Sequence, residues 1–394
     1  MKKTIAVALG VFAGCIGITA CEPAATAQMP TPAVTPASTP TLAPGADAPT
    51  GATNSTNSGH EGPIDNTQEI QALEKFILTE LSGPYGVYTN LIETEQSGEA
   101  ASGHEILSES ASLRMLAAVR SGMKAQFDEE WERAKQVFDM NSGFSYRYSP
   151  KQQKLYSVNA AVDDLRIIQA LYEAGERFGY EQYIEEADKY GQRLFEYNVK
   201  DGYLYDFYDN YYKTTNRFVT LCYINLGTLR KLSISNEFRD LLTNQMSGIL
   251  EGGYLSDEFP FYETRFDYES GTYQSENINT VESLLSILAL AEVGQQKSTS
   301  IDFIKQQVEA GTLYGQYSKD GKPLNDIRST AIYAITAMIG AEIGDDSLYR
   351  NSIERMNEFR ITNASSNLYG GFGDEASGQA YSFDNLMALL AYVY

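Results

Sequence analysis

Six glycines beside a tyrosine or phenylalanine divide the chain at near-regular intervals: Tyr85-Gly86, Gly143-Phe144, Gly202-Tyr203, Gly253-Tyr254, Tyr314-Gly315 and Tyr369-Gly370-Gly371-Phe372. Taking glycines 86, 143, 202, 253, 315 and 371, the spacings are 57, 59, 51, 62 and 56 residues. A period of that length accommodates two helices and a loop. Six such hairpins suffice to close a ring, with every aromatic segment at the same mouth. Tight turns with packed rings are the alternative for any one segment; six in register argue for a repeat.

Helical periodicity dominates after residue 65. Apolar residues recur at three and four spacing over 70–81, 112–121, 127–138, 164–178, 183–197, 218–229, 238–250, 281–293, 301–310, 330–343, 347–359 and 383–394. Twelve helices match six hairpins. The expected fold is all-α, an (α/α)6 barrel. Turn residues place short β-hairpins at its mouth: Tyr146 to Tyr156 around Ser149-Pro150, Phe266 to Tyr273 around Ser270-Gly271, and Tyr317 to Leu324 around Asp320-Gly321. Polar residues follow in the first turns of the next helices. Capping explains some of them. Others, set among tyrosines, suit a sugar groove: Asn159, Tyr205, Asn216, Tyr273 and Arg328 are the expected substrate contacts.

The N-terminus sets the compartment. Lys2 and Lys3 precede an apolar run from Ile5 to Ile18, then Ile18-Thr19-Ala20-Cys21. This is a secretory signal, too short to span a membrane. Its end resembles the lipobox of bacterial lipoproteins, which implies cleavage before Cys21 and a membrane anchor through lipid on that residue. Residues 1–20 are therefore the expected signal peptide. Residues 21–65, rich in Pro, Thr, Ala and Ser, cannot bury enough apolar surface to order themselves and form the expected tether. The domain is 66–394, expected as a monomer.

Composition excludes several chemistries. The net charge of −22 opposes nucleic acid and polyanionic polymers. His60 lies in the tether, so His104 is the domain's one histidine, which leaves no His-based metal site or Ser-His-Asp triad. No cofactor is expected. Cys222 sits in an apolar pattern and should be core. With one other cysteine in the mature chain, no disulfide framework exists.

The chemistry centres on Ser108-Glu109-Ser110-Ala111-Ser112-Leu113-Arg114-Met115-Leu116-Ala117-Ala118-Val119. This stretch resembles the Ser-Glu-Gly-x-Ser-Tyr-Gly-Met-x-x-Ala-Val signature of glycoside hydrolase family 8, departing at Ser110, Leu113 and Arg114. Phe127-Asp128-Glu129-Glu130-Trp131 is similar to that family's Phe-Asp-x-x-Trp, with Trp131 a core residue. The resemblance implies that Glu109 is the general acid of an inverting, endo-acting hydrolase of a β-linked (exo)polysaccharide. A helix N-terminus stabilises an ionised carboxylate, so Glu109 needs burial or a negative neighbour to stay protonated. Asp163-Asp164 is placed to supply that charge.

Asp163-Asp164-Leu165-Arg166-Ile167-Ile168-Gln169-Ala170-Leu171 resembles the family's Asp-Ala-Asp-x-x-Ile-Ala-x-Ala-Leu helix, with Val162 where the sugar-contacting Asp belongs and Asp163 its substitute after a one-residue shift. Gln274 stands at the family's usual base position, and an amide cannot take a proton from water. Some members of that family take their base from the loop before this helix; the resemblance therefore implies a base in the acidic loop here, expected at Asp267, with Asp326 in reserve. Two other readings stay open. Adjacent aspartates also resemble the pair of family 76 α-mannanases, which would make Asp163 and Asp164 a retaining couple. A non-catalytic lipoprotein could use the same ring to hold polysaccharide.

Overall fold

In a computed structural model of the chain, the described residues are 65–394, apart from 97 and 99. The signal peptide, the tether and Cys21 lie outside them.

Twelve α-helices occur among the described residues: α1 (Thr67–Thr79), α2 (Ser108–Arg120), α3 (Lys124–Phe138), α4 (Ala161–Phe178), α5 (Glu181–Asn198), α6 (Leu226–Lys231), α7 (Asn236–Gly252), α8 (Thr280–Ala291), α9 (Ser298–Ala310), α10 (Thr330–Glu342), α11 (Asp346–Asn357) and α12 (Ser382–Val393). The even-numbered helices α2, α4, α8, α10 and α12 are buried along nearly their whole length. The odd-numbered ones bury a single stripe, such as Phe127, Trp131, Ala134 and Phe138 of α3. That difference fixes two layers, because a helix apolar all round must be enclosed and an amphipathic one covers it.

The inner helices pack in sequence: α2 on α4, α4 on α6, α6 on α8, α8 on α10, α10 on α12, and α12 back on α2. Backbone hydrogen bonds repeat the order at one end. Ser108 N–H donates to the Tyr146 carbonyl (3.1 Å), Ala161 to Asp206 (2.8 Å), Leu221 to Thr264 (2.9 Å), Thr280 to Gly315 (3.1 Å) and Ser382 to Thr89 (3.1 Å). Each joins the start of one inner segment to the loop of the next unit, and the last joins unit six to unit one. These bonds satisfy N–H groups that helix starts leave without partners.

Short antiparallel strands line this end. The pairs bearing on the site are β1 (Ile106–Leu107) with β2 (Arg147–Ser149), β2 with β3 (Lys154–Leu155), and β4 (Phe218–Thr220) with β5 (Arg265–Asp267), which also pairs β6 (Thr272–Gln274). The expected hairpins at 146–156 and 266–273 are these. The third, 317–324, is held by one bridge between Tyr317 and Pro323.

One expected helix is different. Residues 218–229 form strand β4, a 3-10 turn Leu221–Tyr223, and the six-residue α6. The apolar positions that suggested a helix also fit a strand followed by a turn. Edge pairing with β5, and the Asp206 carboxylate taking both Thr220 N–H (2.7 Å) and Thr220 O–H (2.6 Å), decide for the strand. Cys222, in that turn, is buried as core.

Candidate active site

Glu109 stands second in α2, at the hydrogen-bonded end of the inner ring. Two buried arginines position its helix. Arg147 of β2 grips Glu105 in a fork, Nε to Oε1 at 2.9 Å and Nη2 to Oε2 at 2.7 Å, with both side chains wholly buried. This locks β1 against β2 just before α2 begins. Arg114, where the resemblance expects glycine, reaches Glu74 of α1 at 2.8 Å and Glu130 of α3 at 3.2 Å. The departure thus ties α2 to two outer helices. Ser108 does not cap the helix; Leu107 holds that position in extended conformation. The Ser108 hydroxyl instead donates to Asp163 Oδ2 at 2.7 Å.

Asp163 is third in α4, buried, and also bonded to Arg166 Nη1 at 3.3 Å. It brings a negative charge to Glu109. Burial, then the Asp163 charge, push the Glu109 carboxyl up to about 8, with Arg166 opposing. Glu109 Oε2 is buried with no hydrogen-bond partner. The dipole of α2 favours ionisation, but desolvation and a like charge outweigh it. Glu109 is a carboxylic acid at neutral pH, with one oxygen uncommitted.

Asp164 does different work. Its Oδ1 accepts Phe144 N–H at 3.0 Å and its Oδ2 accepts Asn159 Nδ2 at 2.7 Å. Gly143 stands against it with φ of +138°, and a Cβ there would lie 2.2 Å from Asp164 Oδ2. The fourth residue of two other inner helices clamps an aromatic segment in the same way: Ser283 Oγ accepts Tyr262 N–H (2.9 Å), and Asn385 Oδ1 accepts Phe372 N–H (2.8 Å). Neutral serine and asparagine suffice elsewhere, so this position is a structural joint. Asn159 belongs to the same joint. It is fully buried, bonded to Asp164, Asn198 and Tyr208 N–H, and so faces no groove.

Four of the remaining expected residues, Tyr205, Asn216, Asp267 and Tyr273, gather around the β4–β5–β6 sheet. Tyr205 is half-buried, its ring 4.8 Å from Tyr268. Asn216 donates to the Phe218 carbonyl at 2.8 Å. The Tyr273 hydroxyl donates to Ile249 O at 2.7 Å, turned toward the end of α7. Arg328 pairs with Glu358 at 3.0 Å. Asp267 lies in β5, and its Oδ1 accepts both Ser270 N–H (2.8 Å) and Ser270 O–H (2.9 Å), which hold its carboxyl below the usual range. Asp326 is exposed.

Two acids of the mouth stand outside the expected site residues: Glu282, which sequence reasoning missed, and Asp384, which it reads only as a first-turn polar group. Glu282 is third in α8, as Asp163 is in α4, and burial pushes it up to about 7. Asp384 is third in α12; it accepts Ala331 N–H at 3.0 Å, and burial raises it to about 6. Counting positions from each inner helix start reveals this set, but the count needs true helix boundaries. Buried Asp206, raised by burial to about 7, carries no such signal.

No protein-family model matches the sequence. A solved structure described as a novel alpha-amylase from Clostridium perfringens is 33% identical, with a TM-score of 0.78, covering 84% of this chain and 99% of that one. The chain belongs to the family of that enzyme. It is a glycoside hydrolase. The Bacillus subtilis (strain 168) protein named "Putative lipoprotein YdaJ" is 29% identical over 334 residues, 83% of this chain and 87% of that protein. A GH8 xylanase from Teredinibacter turnerae shares the fold at 14% identity, with a TM-score of 0.61 over 84% of this chain and 93% of that one.

Proposed function

We propose that this glycoside hydrolase is an (α/α)6 barrel, held outside the cytoplasm by lipid on Cys21, that cuts a neutral polysaccharide internally with inversion. The observation that carries the reading is the protonated, buried Glu109 with Oε2 uncommitted beside the ionic pair Asp163–Arg166. Glu109 gives its proton to the leaving glycosidic oxygen. Asp163 keeps that proton in place before reaction and offsets positive charge developing on the sugar ring. A base then directs water to the opposite face, which calls for a carboxylate ~6.5–9.5 Å away. Asp267 remains the candidate: its low pKa keeps it ionised, and both Ser270 hydrogen bonds fall on Oδ1. The clamped state of Asp164 disfavours a retaining pair with Asp163. A buried, protonated acid disfavours a binder without chemistry.

Tyrosines furnish the rim. Tyr211 and Tyr212, 76% and 67% exposed, project from the hairpin of Tyr208–Asp209 with Thr214–Thr215. That hairpin is pinned to the strand entering α4 by Asn210 N–H to Ser157 O at 2.8 Å. Their rings suit the apolar faces of sugars. Resemblance to family 8 favours a β-linked exopolysaccharide, to be trimmed or cleared at the cell surface. The clostridial relative favours a second reading, an α-linked glucan.

A panel of soluble starch, lichenan, xylan and the host's own exopolysaccharide separates these readings. We expect new reducing ends from one linkage class, with the product anomer inverted by NMR. Retained configuration overturns the mechanism; no reducing ends from any polymer, with retardation in a polymer gel, favours the binder.

A further inference from the structure

A second cleft of about 520 Å³ opens on the outer flank, between the turn before Gly86 and helix α3. That volume lies within the ~300–1,000 Å³ of ligand sites. Tyr85 and Tyr148 form one wall, ring centroids 5.0 Å apart, and Tyr85 is 40% exposed. Glu129, Glu132, Arg133 and Gln136 of α3 form the other. The Arg133 guanidinium is held in place by Glu129 at 2.5 Å and Glu130 at 2.7 Å. Tyrosine rings opposite a row of amide, carboxylate and guanidinium groups present both an apolar face and a ladder of hydrogen-bonding atoms. Sugars, apolar on their ring faces and hydroxylated at their edges, need that combination. The charges of this wall are already paired, Glu129 with Arg133 and Glu132 with Lys135, which leaves no free cation for a polyanion and favours a neutral occupant.

The cleft lies beside the catalytic end without belonging to it. Tyr148 is in β2, paired directly with Ile106 of β1, and β1 runs into Ser108 and Glu109. Side chains alternate across a strand. Arg147 therefore turns inward to Glu105 while Tyr148 turns to the flank.

We propose that this flank cleft is a second saccharide-binding site, which grips a strand of the neutral polymer and holds it beside the mouth. The proposal rests on the glycan-cleaving reading above. Its signature is a selective loss on long substrates, because only a long chain can reach both sites.

The test uses the full chain and its Tyr85→Ala and Gln136→Ala variants, with soluble starch, lichenan and xylan as probes, and a hexasaccharide of whichever polymer is cleaved. We expect Tyr85→Ala to raise KM on the polymer about three- to tenfold, leave kcat and hexasaccharide kinetics unchanged, and weaken retardation in polymer-containing gels. Tyr85→Phe should behave as wild type. Gln136→Ala, on an exposed helix face, gives a second reading should Tyr85→Ala melt early. Unchanged KM and retardation in both alanine variants overturn the site. A parallel loss on the hexasaccharide also overturns it, by making the cleft part of the catalytic groove. If the wild type neither cleaves nor is retarded by any polymer, the glycan reading itself fails first.

Discussion

Glu109 shows how two carboxylates on neighbouring helices acquire opposite duties. Burial alone raises an acid; the Asp163 charge raises it further, and Ser108 and Arg166 keep Asp163 in its seat. Glu109→Gln should cut kcat/KM by at least ~10²–10⁴-fold, the usual contribution of general acid catalysis, with melting close to wild type. Near-wild-type turnover would remove Glu109 from the mechanism. Asp163→Asn tests the coupling. Losing a negative neighbour lowers the Glu109 pKa, so the alkaline limb of kcat/KM, expected near 8, should move to lower pH. A limb that stays in place would show that Asp163 does not act on Glu109.

At the scale of elements, two Gly-aromatic segments, Gly143-Phe144 and Gly371-Phe372, work as sockets for the fourth residue of an inner helix. Gly143 illustrates the demand. Its φ of +138° is costly for any residue with a side chain, and its Cβ would collide with Asp164. Gly143→Ala should lose ~1–3 kcal/mol from backbone strain alone, more if the clamp opens. Asp164→Ala leaves Phe144 N–H and Asn159 without their acceptor, at ~1–3 kcal/mol for each buried group. Denaturant unfolding checks both. Asp164→Asn keeps an oxygen for Phe144 N–H but sets its NH2 against that of Asn159, so it should recover only part of the stability lost in Asp164→Ala, and no recovery at all would contradict the Phe144 clamp.

For the whole molecule, the concentration of protonated acids has a consequence. Glu109, Asp206, Glu282, Glu292 and Asp384 keep their protons up to about 8, 7, 7, 7 and 6. The unfolded chain releases such protons near ~4–4.5. Between those limits the native state binds more protons, so its stability falls as pH rises. Tm should be higher near pH 5.5 than near pH 8.5, and Glu109→Gln should flatten the decline. A Tm that climbs across this range would refute the assignment of neutral buried acids. The chain's other whole-molecule property lies at its N-terminus. No helix of the described residues is long and apolar enough to cross a membrane. The proposed attachment is lipid on Cys21. Cys21→Ser should release the protein from membranes or stall its processing, by fractionation after a salt wash.

Much of this was legible in the chain. Eleven of the twelve helical spans have helical counterparts, the exception being the strand and turn within 218–229, because apolar spacing at three and four reports which face a helix buries, and the inner helices are apolar enough to stand out. Three of the six glycines, Gly86, Gly143 and Gly202, mark turns at positive φ, which tolerate little else. Glu109 was legible through the motif around it. What the sequence left open was which of two adjacent aspartates does chemistry and which does carpentry. Asp163 and Asp164 are alike in composition and adjacent in the helix, and differ only in what each faces: Ser108 and Glu109 across the inner ring, or Phe144 and Asn159 in the socket. Helix periodicity turns successive side chains by about 100°. Neighbours in sequence therefore reach different partners, and apart from Asn159 those partners lie 20 to 55 residues away along the chain, where only the packed ring brings them together.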